Sequence, residues 1–279
     1  MTNLFRLPGS KLKELSLKRI RNAIIRRILS IPHTIAWYLP ISVSKTNKKK
    51  ISLFKNIHLG KRCFIVANGP SLNKTDLSLL ENEYIIGMNR IYLLEHSKKF
   101  KPTYLVVADI DVQLNQFTQE YNDVQIPKFF PWEVRNNFSH TENTNFYKMK
   151  FSSKFNADFQ NSIGAGKSVT IICIQLAYYM GFKEVILIGK DHSYTVDQKG
   201  VPGTRIKSSG TEDNHFIKGY YKEGMKWTIP NYAGEEYSYS LAREAFEKDG
   251  REILDATING NLNVFKKINY YDLFNKEKQ

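Results

Sequence analysis

The residues best suited to chemistry lie in polar turns that directly follow apolar runs. One apolar run, residues 63–67, ends in Asn68-Gly69-Pro70-Ser71, and a second, residues 84–86, ends close to Asn89. Amide, hydroxyl and backbone N–H groups at such turns can bind a base, a ribose or a phosphate. The sequence therefore predicts nucleotide binding by these five residues. An ordinary strand-to-helix turn capped by Ser71 is the alternative.

A glycine-containing turn, Gly166-Lys167-Ser168, precedes a run with helical periodicity. The first N–H groups of a helix lack partners within the helix, so such a turn can bind an anion. The motif is not a nucleotide-binding P-loop, because Asn161 stands where that motif requires a glycine. Phosphate binding by the helix start is nevertheless predicted.

Ionisable and hydroxyl side chains cluster after the apolar run 185–188. Gly189 is followed there by Lys190, Asp191, His192, Ser193 and Tyr194. Gly189 is predicted to bind substrate, and Asp191 and Tyr194 are predicted to act in catalysis. His215 lies in a long polar segment, where a histidine with a pKa near neutrality can be a general base. A surface histidine at position 215, and His192 as the base, are the alternatives.

Asp109 and Asp111 follow another apolar run, residues 103–108. Two carboxylates at this spacing can hold a divalent cation that bridges nucleotide phosphates. Two carboxylates at this spacing also commonly cap a turn. A site without metal is therefore expected, and metal binding by Asp109 and Asp111 is the alternative.

The elements that must position these residues alternate along the chain. Strands are predicted at 62–67, 84–88, 103–108, 126–130, 184–189 and 252–255, and helices at 72–81, 90–98, 167–180 and 236–249. This alternation predicts an α/β fold with a mostly parallel sheet flanked by helices. The segment 195–235 lacks periodicity, and a loop of that length in a compact domain is usually either a lid over an active site or disordered.

Positive charge is concentrated at the start of the chain. The net charge is +14, and residues 1–50 hold twelve basic side chains against one acidic side chain, Glu14. Residues 11–31 have the pattern of a basic amphipathic helix, typical of a peptide that lies on a membrane. Packing against the domain or a partner subunit is an alternative, and nucleic acid is not the expected partner.

Two domains are therefore expected: a membrane-seeking extension at 1–50 and a nucleotide-binding α/β domain at 51–279. No apolar run reaches the roughly 18 residues of a membrane span. Cys63 and Cys173 lie in apolar runs, which predicts buried thiols and a reducing cytoplasm. The expected location is the cytoplasmic face of the inner membrane, and self-association of the chain is left open.

Taken together, the motifs resemble the small bacterial sialyltransferases of glycosyltransferase family 42. The resemblance spans about residues 60–220 and extends to the central domain of motility accessory factors, which glycosylate flagellin with nonulosonic acids. The residues that carry it are Asn-Gly-Pro-Ser-Leu at 68–72, Asn89, Met-Gly-Phe-Lys-Glu at 180–184, Gly189-x-Asp191 and Asn-His-Phe at 214–216.

This resemblance implies a Rossmann-like, glycosyltransferase-A-like domain with a lid, a CMP-sugar donor, a glycan acceptor and no metal cofactor. It implies that CMP contacts Asn68, Gly69, Ser71 and Asn89, and that His215 deprotonates the acceptor hydroxyl. Transfer would proceed by direct displacement with inversion.

The chain departs from the family pattern at two places. Tyr194 matches one of two tyrosines that contact the departing phosphate, but Gly200 occupies the place of the other, so Tyr220 or Tyr221 is expected to replace it. The family's arginine before the helix is missing, and Lys167 is the nearest cation.

A second resemblance covers much the same region. The Gly-Pro-Ser turn and the strand followed by Gly-x-Asp are similar to archaeal 6-hydroxymethylpterin diphosphokinase-like proteins. That resemblance implies pyrophosphoryl transfer from ATP with magnesium, which Asp109 and Asp111 would suit. A non-catalytic scaffold that binds a nucleotide or a glycan is the third alternative.

Overall fold

The computed structural model describes residues 17–94, 100–150, 152–194 and 201–275. The chain divides into two compact units, Met1–Lys45 and Thr46–Gln279. The predicted domain boundary, between residues 50 and 51, lies five residues after this division. Helix α2, Ser42–Ser52, contains both points, so the predicted boundary stays a prediction.

Helix α1, Leu17–Tyr38, is the main element of the first unit. It extends past the predicted end at residue 31 and contains Pro32. The first residues of the predicted helix, 11–16, lie outside the described part of the chain. The Ser44 hydroxyl donates to the carbonyl of Trp37 at 2.7 Å and so ties the first turn of α2 to the end of α1. No helix among the described residues has the length and apolar character needed to cross a membrane.

Eight of the described strands form one sheet in the second unit, in the order β12-β11-β8-β1-β2-β3-β4-β5. Every neighbouring pair in it is parallel. The predicted α/β fold with a parallel sheet is therefore confirmed. These strands are β1 Arg62–Val66, β2 Tyr84–Met88, β3 Tyr104–Val106, β4 Lys128–Pro131, β5 Thr144–Tyr147, β8 Glu184–Ile188, β11 Glu252–Asp255 and β12 Lys266–Lys267.

Two small strand pairs lie outside this sheet. β6, Met149–Lys150, pairs in parallel with β7, Ile163–Gly164. β9, Arg205–Lys207, pairs antiparallel with β10, Lys226–Thr228, inside the segment that was predicted to be a lid.

The other α-helices among the described residues are α3, Thr118–Asp123, α4, Val169–Tyr179, and α5, Tyr232–Lys248. α4 is almost entirely buried, which matches strands that are apolar along both faces because helices cover them. The predicted helix 72–81 is instead two short 3-10 stretches, Pro70–Lys74 and Leu77–Leu80. The backbone of Thr75 is extended (φ −99°, ψ 128°) and interrupts the helix between them.

The predicted helix 90–98 is a 3-10 stretch at Asn89–Leu94, and its remaining residues, 95–98, lie outside the description. The stretch Pro70–Lys74 begins four residues after the end of β1, and Asn89–Leu94 follows β2 directly. The side chains that follow β1 and β2 are thereby kept at the carboxyl edge of the sheet.

Candidate functional site

Two adjoining cavities lie at the carboxyl edge of the sheet, one of about 550 Å³ and one of about 100 Å³. They share six lining residues: Asn89, Ser168, Val169, Lys190, Tyr194 and Tyr221. From β1 the strand order runs through β2, β3 and β4 to β5 on one side of the sheet. On the other side β1 has β8 as its neighbour, so the strand order reverses at β1. Open α/β sheets bind ligands at such a point of reversal, outside the carboxyl ends of the strands.

The turn after β1 is fastened to the end of β8. The backbone N–H of Ser71 donates to Asp191 Oδ1 at 3.1 Å, and the Ser71 hydroxyl donates to Asp191 Oδ2 at 2.8 Å. The N–H of Gly69 donates to the carbonyl of Gly189 at 2.9 Å. A methyl group at Gly69 would lie 1.8 Å from Asp191 Oδ2 and 2.6 Å from the Gly189 carbonyl, so only glycine fits there.

Only some of the predicted residues in these two turns face a cavity. Asn68, Gly69, Gly189 and Asp191 line the small cavity, whereas Pro70 and Ser71 line neither cavity. The hydrogen bonds of Ser71 and Asp191 are made to each other, so these two residues hold the turns after β1 and β8 in position. The predicted catalytic role of Asp191 stays a prediction.

Two asparagines present buried acceptors at the ends of neighbouring strands. Asn68 Nδ2 donates to the carbonyl of Met88 at 3.0 Å, which leaves Asn68 Oδ1 buried without a hydrogen-bond partner among the described residues. Asn89 Oδ1 is also buried and unpartnered in that part of the chain. Asn89 has a φ of +49°, a left-handed conformation that asparagine tolerates better than most residues. Unsatisfied buried acceptors are costly, and they mark places where a ligand's donors would be bound.

The start of α4 forms another wall of the cavities. Ser168 is its N-cap and accepts from the N–H of Thr170 at 3.2 Å. Gly166 has a φ of +52° in the turn before it, and Gly166, Lys167 and Ser168 all line the larger cavity. The structure thus brings the predicted glycine-containing turn to the same cavity as the asparagines.

Lys190 and Glu235 form a buried ion pair in the wall of the larger cavity, with 2.8 Å between Lys190 Nζ and Glu235 Oε2. Burial lowers the pKa of Lys190, but the nearby Tyr239 and Glu235 outweigh it and the pKa is raised. Lys190 is therefore a permanent cation. It was not among the predicted site residues, although its place directly after Gly189 was a usable signal.

His192 lies beside this pair and is held by a carboxylate of its own. Its Nε2 is 3.0 Å from Glu236 Oε1, and its Nδ1 is buried without a hydrogen-bond partner among the described residues. The backbone of His192 is left-handed, with a φ of +54°. Burial and the Lys190 cation lower its pKa.

His215 is buried against aromatic rings. Its ring stacks on that of Tyr220 with centroids 3.9 Å apart and 1° between the planes, and the Tyr194 hydroxyl lies 3.4 Å from its Nε2. Burial lowers its pKa to about 3. The expected pKa near neutrality is therefore wrong for this state of the protein, and so is a surface position, because the rings exclude water from the imidazole.

The segment around His215 is anchored to both asparagine turns. The N–H of Phe216 donates to the carbonyl of Asn68 at 2.9 Å, and Asn73 Nδ2 donates to the carbonyl of Phe216 at 2.8 Å. Tyr220 accepts from the N–H of Arg90 at 3.1 Å. The segment that was predicted to be a lid therefore contacts the carboxyl ends of β1 and β2.

The three predicted tyrosines take different positions. Tyr194 and Tyr221 line both cavities, and Tyr220 lines neither. The Tyr221 hydroxyl accepts from Gln113 Nε2 at 2.8 Å. The Tyr220 hydroxyl is used by the backbone of Arg90, so Tyr194 and Tyr221 are the tyrosines placed to contact a ligand.

Asp109 and Asp111 bind an arginine from the ribbon of β9 and β10. Arg205 Nη2 lies 3.3 Å from Asp109 Oδ1, and Arg205 Nη1 contacts Asp111 Oδ2. Asp109 also caps the helical turn that follows, accepting from the N–H groups of Asp111 and Val112. Asp109 lines the larger cavity. In the part of the chain that the structure describes, no three His, Cys, Asp or Glu side chains form a group that could hold a metal ion.

Sequence reasoning missed several residues of the cavity walls besides Lys190. Glu235 comes from the first turn of α5, and Trp227 comes from β10. The ring of Trp227 stacks on that of Tyr194 with centroids 6.0 Å apart. Trp227 Nε1 is buried and has no hydrogen-bond partner among the described residues. A tryptophan in a loop without periodicity carries no sequence signal of this position.

One solved structure shares the fold over most of the chain. It is the MAf glycosyltransferase from Magnetospirillum magneticum AMB-1, with 14% sequence identity and a TM-score of 0.50. The match covers 80% of this chain and 38% of that one, so the chain spans well under half the length of that enzyme. At this identity the likeness concerns the fold alone.

A second similar structure is the sialyltransferase CstII from Campylobacter jejuni, solved with cytidine-5'-monophosphate. It has 13% identity and a TM-score of 0.40, and the match covers 75% of this chain and 85% of that one. Both neighbours are glycosyltransferases, although the lower score carries no argument of its own. No curated protein sequence matches the chain.

The family comparison is the more specific result. The family model described as 6-hydroxymethylpterin diphosphokinase MptE-like matches residues 41–197, which is more than half of the 279-residue chain. Its match includes the turns after β1, β2, β3 and β8 and the start of α4. The chain belongs to this MptE-like family.

Proposed function

We propose that the protein is a glycosyltransferase that moves a sialic-acid-like sugar, nonulosonic or otherwise acidic, from a CMP donor to a hydroxyl of a surface glycan. The observation that carries the proposal is a pair of buried oxygens, Asn68 Oδ1 and Asn89 Oδ1, at the ends of β1 and β2, neither of which has a hydrogen-bond partner within the described residues. The cytosine amino group and the ribose hydroxyls are donors of the kind that these oxygens require. The proposal includes inversion, and it needs no metal.

The phosphate of the donor would lie between the start of α4 and Lys190. Ser168, Val169 and Thr170 at this helix start line the small cavity, and the N-terminus of a helix favours a negative charge. Lys167 and Lys190 line the larger cavity beside it. Tyr194 and Tyr221 would donate hydrogen bonds to the departing phosphate, where fixed donors stabilise developing charge.

His215 would accept the proton of the attacking hydroxyl. The acceptor oxygen forms a bond to the anomeric carbon, the bond from that carbon to the phosphate oxygen breaks, and the proton passes to the imidazole. A neutral ring is needed for this step, and burial keeps His215 uncharged. The negative phosphate of a bound donor would raise its pKa toward the range of an effective base.

Nucleotide binding is tested by thermal unfolding with CMP, CDP, UDP, GDP and ATP, each with and without Mg²⁺. CMP is expected to stabilise the protein without metal, by roughly 2.7 kcal/mol at about 100 times its dissociation constant. Asn89→Gly removes the amide, and glycine keeps the left-handed backbone. We expect this variant to weaken CMP binding by about 1–3 kcal/mol through lost hydrogen bonds.

The matched control is Asn56→Gly. Asn56 has a φ of +57°, almost the same as Asn89, and it is exposed next to the end of α4, away from both cavities. The control should keep CMP binding. Equal loss of binding in both variants would show that the backbone, and not the Asn89 amide, determines affinity, which would contradict the proposal.

A magnesium-dependent diphosphokinase is the second candidate, because the description of the matching family names that activity. Asp109 lines the larger cavity and would have to exchange Arg205 for a cation, together with Asp111. Strictly Mg²⁺-dependent ATP binding without any response to CMP would replace the first proposal by this one. CMP binding without turnover would instead favour a non-catalytic scaffold.

A further inference from the structure

Helix α1 carries an apolar stripe that faces solvent. Ile24, Ile28, Ile31 and Ile35 are spaced four, three and four residues apart, and 51–57% of each residue's surface is exposed. Residues at this spacing lie on one face of a helix. A soluble helix normally buries such a face, so this one requires a partner.

Exposed apolar surface on this segment is not confined to the four isoleucines. Further large apolar side chains on and after the helix are exposed: Ile25, Leu29, Tyr38, Leu39, Ile41 and Val43. A helix of 22 residues is about 33 Å long, so the surface extends along several turns. It is formed by residues 24–43, which belong to the first unit of the chain.

Charge decides which partner this stripe fits. The sequence of α1 contains five basic residues and no acidic residue. Arg21 and Arg27 are among them and are exposed. A second copy of the chain would bring the same positive charges to the contact, and like charges repel. An anionic surface would attract them.

No described helix combines the length with the apolar character that crossing a membrane needs, and α1 has five basic side chains in its 22 residues. A basic helix with one apolar face lies in the plane of a bilayer, with the apolar side chains at the boundary of the acyl chains. Its basic side chains then lie among the headgroups, where anionic lipids attract them.

We propose that the exposed isoleucine stripe of α1 binds the surface of an anionic lipid bilayer and lies in the plane of that surface. The isoleucines supply the apolar contact, and Arg21 and Arg27 contact the negatively charged headgroups. This surface binding is independent of the nucleotide chemistry in the cavities, so either proposal can fail without the other.

The test is sedimentation of the full-length protein with vesicles of phosphatidylcholine, with or without about one third phosphatidylglycerol. The protein is expected to pellet with the anionic vesicles and to be released as salt screens the charges. Replacing Ile24, Ile28, Ile31 and Ile35 by serine should weaken vesicle binding by about tenfold or more, because the apolar contact is lost. Arg21→Gln with Arg27→Gln should reduce the preference for anionic lipid.

The matched control replaces exposed apolar side chains elsewhere, Tyr237 and Tyr271, by serine. Its binding should equal that of the unchanged protein, and CMP-induced stabilisation should be the same in all variants. Vesicle binding that survives the isoleucine changes would overturn the proposal. So would a dimer, measured by analytical ultracentrifugation without lipid, that those changes dissociate, because the stripe would then bind a second copy.

Discussion

His215 and His192 both line the small cavity, but their neighbours give them different chemistry. His215 is enclosed by the rings of Tyr194, Tyr220 and Tyr221 and has no carboxylate in hydrogen-bond contact among the described residues. His192 contacts Glu236, which can hold its Nε2 proton and leave Nδ1 as the acceptor. Glu236 is more exposed than either histidine. His192 therefore has the contacts of an oriented base and stays the alternative, while His215, whose Nε2 lies 3.4 Å from the Tyr194 hydroxyl, remains the proton acceptor that we propose.

Replacing His215 by alanine is expected to lower turnover by about 10²–10⁴-fold, the usual cost of losing a general base. The KM of the CMP donor should change little, because Asn68 and Asn89 remain. Steady-state kinetics with a CMP-sugar donor measure both quantities. His140→Ala is the control, since His140 is exposed and lines neither cavity. Near-normal turnover in His215→Ala with collapse in His192→Ala would move the base to His192.

The sequence allowed the convergence of Asn68, Asn89, Lys167 and Tyr194 to be predicted, because three of them follow predicted strands and Lys167 begins a predicted helix of the same α/β domain. It did not allow the partners of those residues to be predicted. Arg205 binds Asp109 and Asp111 across more than ninety positions of sequence. The arginine lies in a segment without periodicity, so no spacing in the sequence connects it to the two carboxylates.

At the scale of elements, the turn after β1 and the end of β8 behave as one structure. Two hydrogen bonds from Ser71 to Asp191 and one from Gly69 to Gly189 hold them together. Val66 of β1 pairs in register with Ile188 of β8 directly before these turns. The position of Asn68 in the cavity therefore depends on the close approach of two turns at Gly69.

Gly69→Ala is expected to destabilise the protein by more than about 1 kcal/mol and to abolish the CMP-induced shift. A compatible Gly→Ala change usually stabilises a protein by about 0.4–1 kcal/mol. Here the added methyl meets Asp191 and the backbone carbonyl of Gly189, which cannot rotate away. Urea denaturation and CMP titration measure the two effects.

Ser71→Ala is the comparison for this change, because it removes a hydrogen bond to Asp191 without adding an atom. It should cost about 0.5–1.5 kcal/mol and leave CMP binding measurable. If Gly69→Ala were as stable as the unchanged protein, the close approach of the two turns would not determine the site.

The predicted elements were most accurate where strands lie in the centre of the sheet. After their first residue, β1, β2 and β8 are buried and lack polar side chains, and their predicted bounds differ from the observed bounds by one residue or less. β5 was missed, because Thr144-Asn145-Phe146-Tyr147 contains an asparagine that is favoured in turns. Asn47 supports that edge strand by exchanging hydrogen bonds with the backbone of Phe146, a contact that the sequence cannot show.

At the scale of the whole molecule, buried histidines link the fold to pH. Burial lowers the pKa of His58, His192 and His215 below the ordinary value of 6.5. His58 belongs to the core, where it stacks on Phe182 with ring centroids 4.7 Å apart. These three histidines, from two regions of the second unit, therefore stay uncharged in the folded protein below pH 6.5 and bind protons on unfolding.

The free energy of unfolding is consequently expected to fall as the pH drops below 6.5. In that range the unfolded chain binds more protons than the folded one, so the stability present at neutral pH is lost progressively. For His215 the loss continues until the pH reaches its folded-state pKa of about 3. The part due to His215 should be about 2 kcal/mol between pH 6.5 and about pH 5. Urea denaturation at a series of pH values measures this slope.

The variant His215→Phe should flatten the pH dependence of the unfolding free energy, whereas the exposed control His140→Phe should leave it unchanged. An equal slope in His215→Phe and the unchanged protein would show that other groups cause the acid sensitivity.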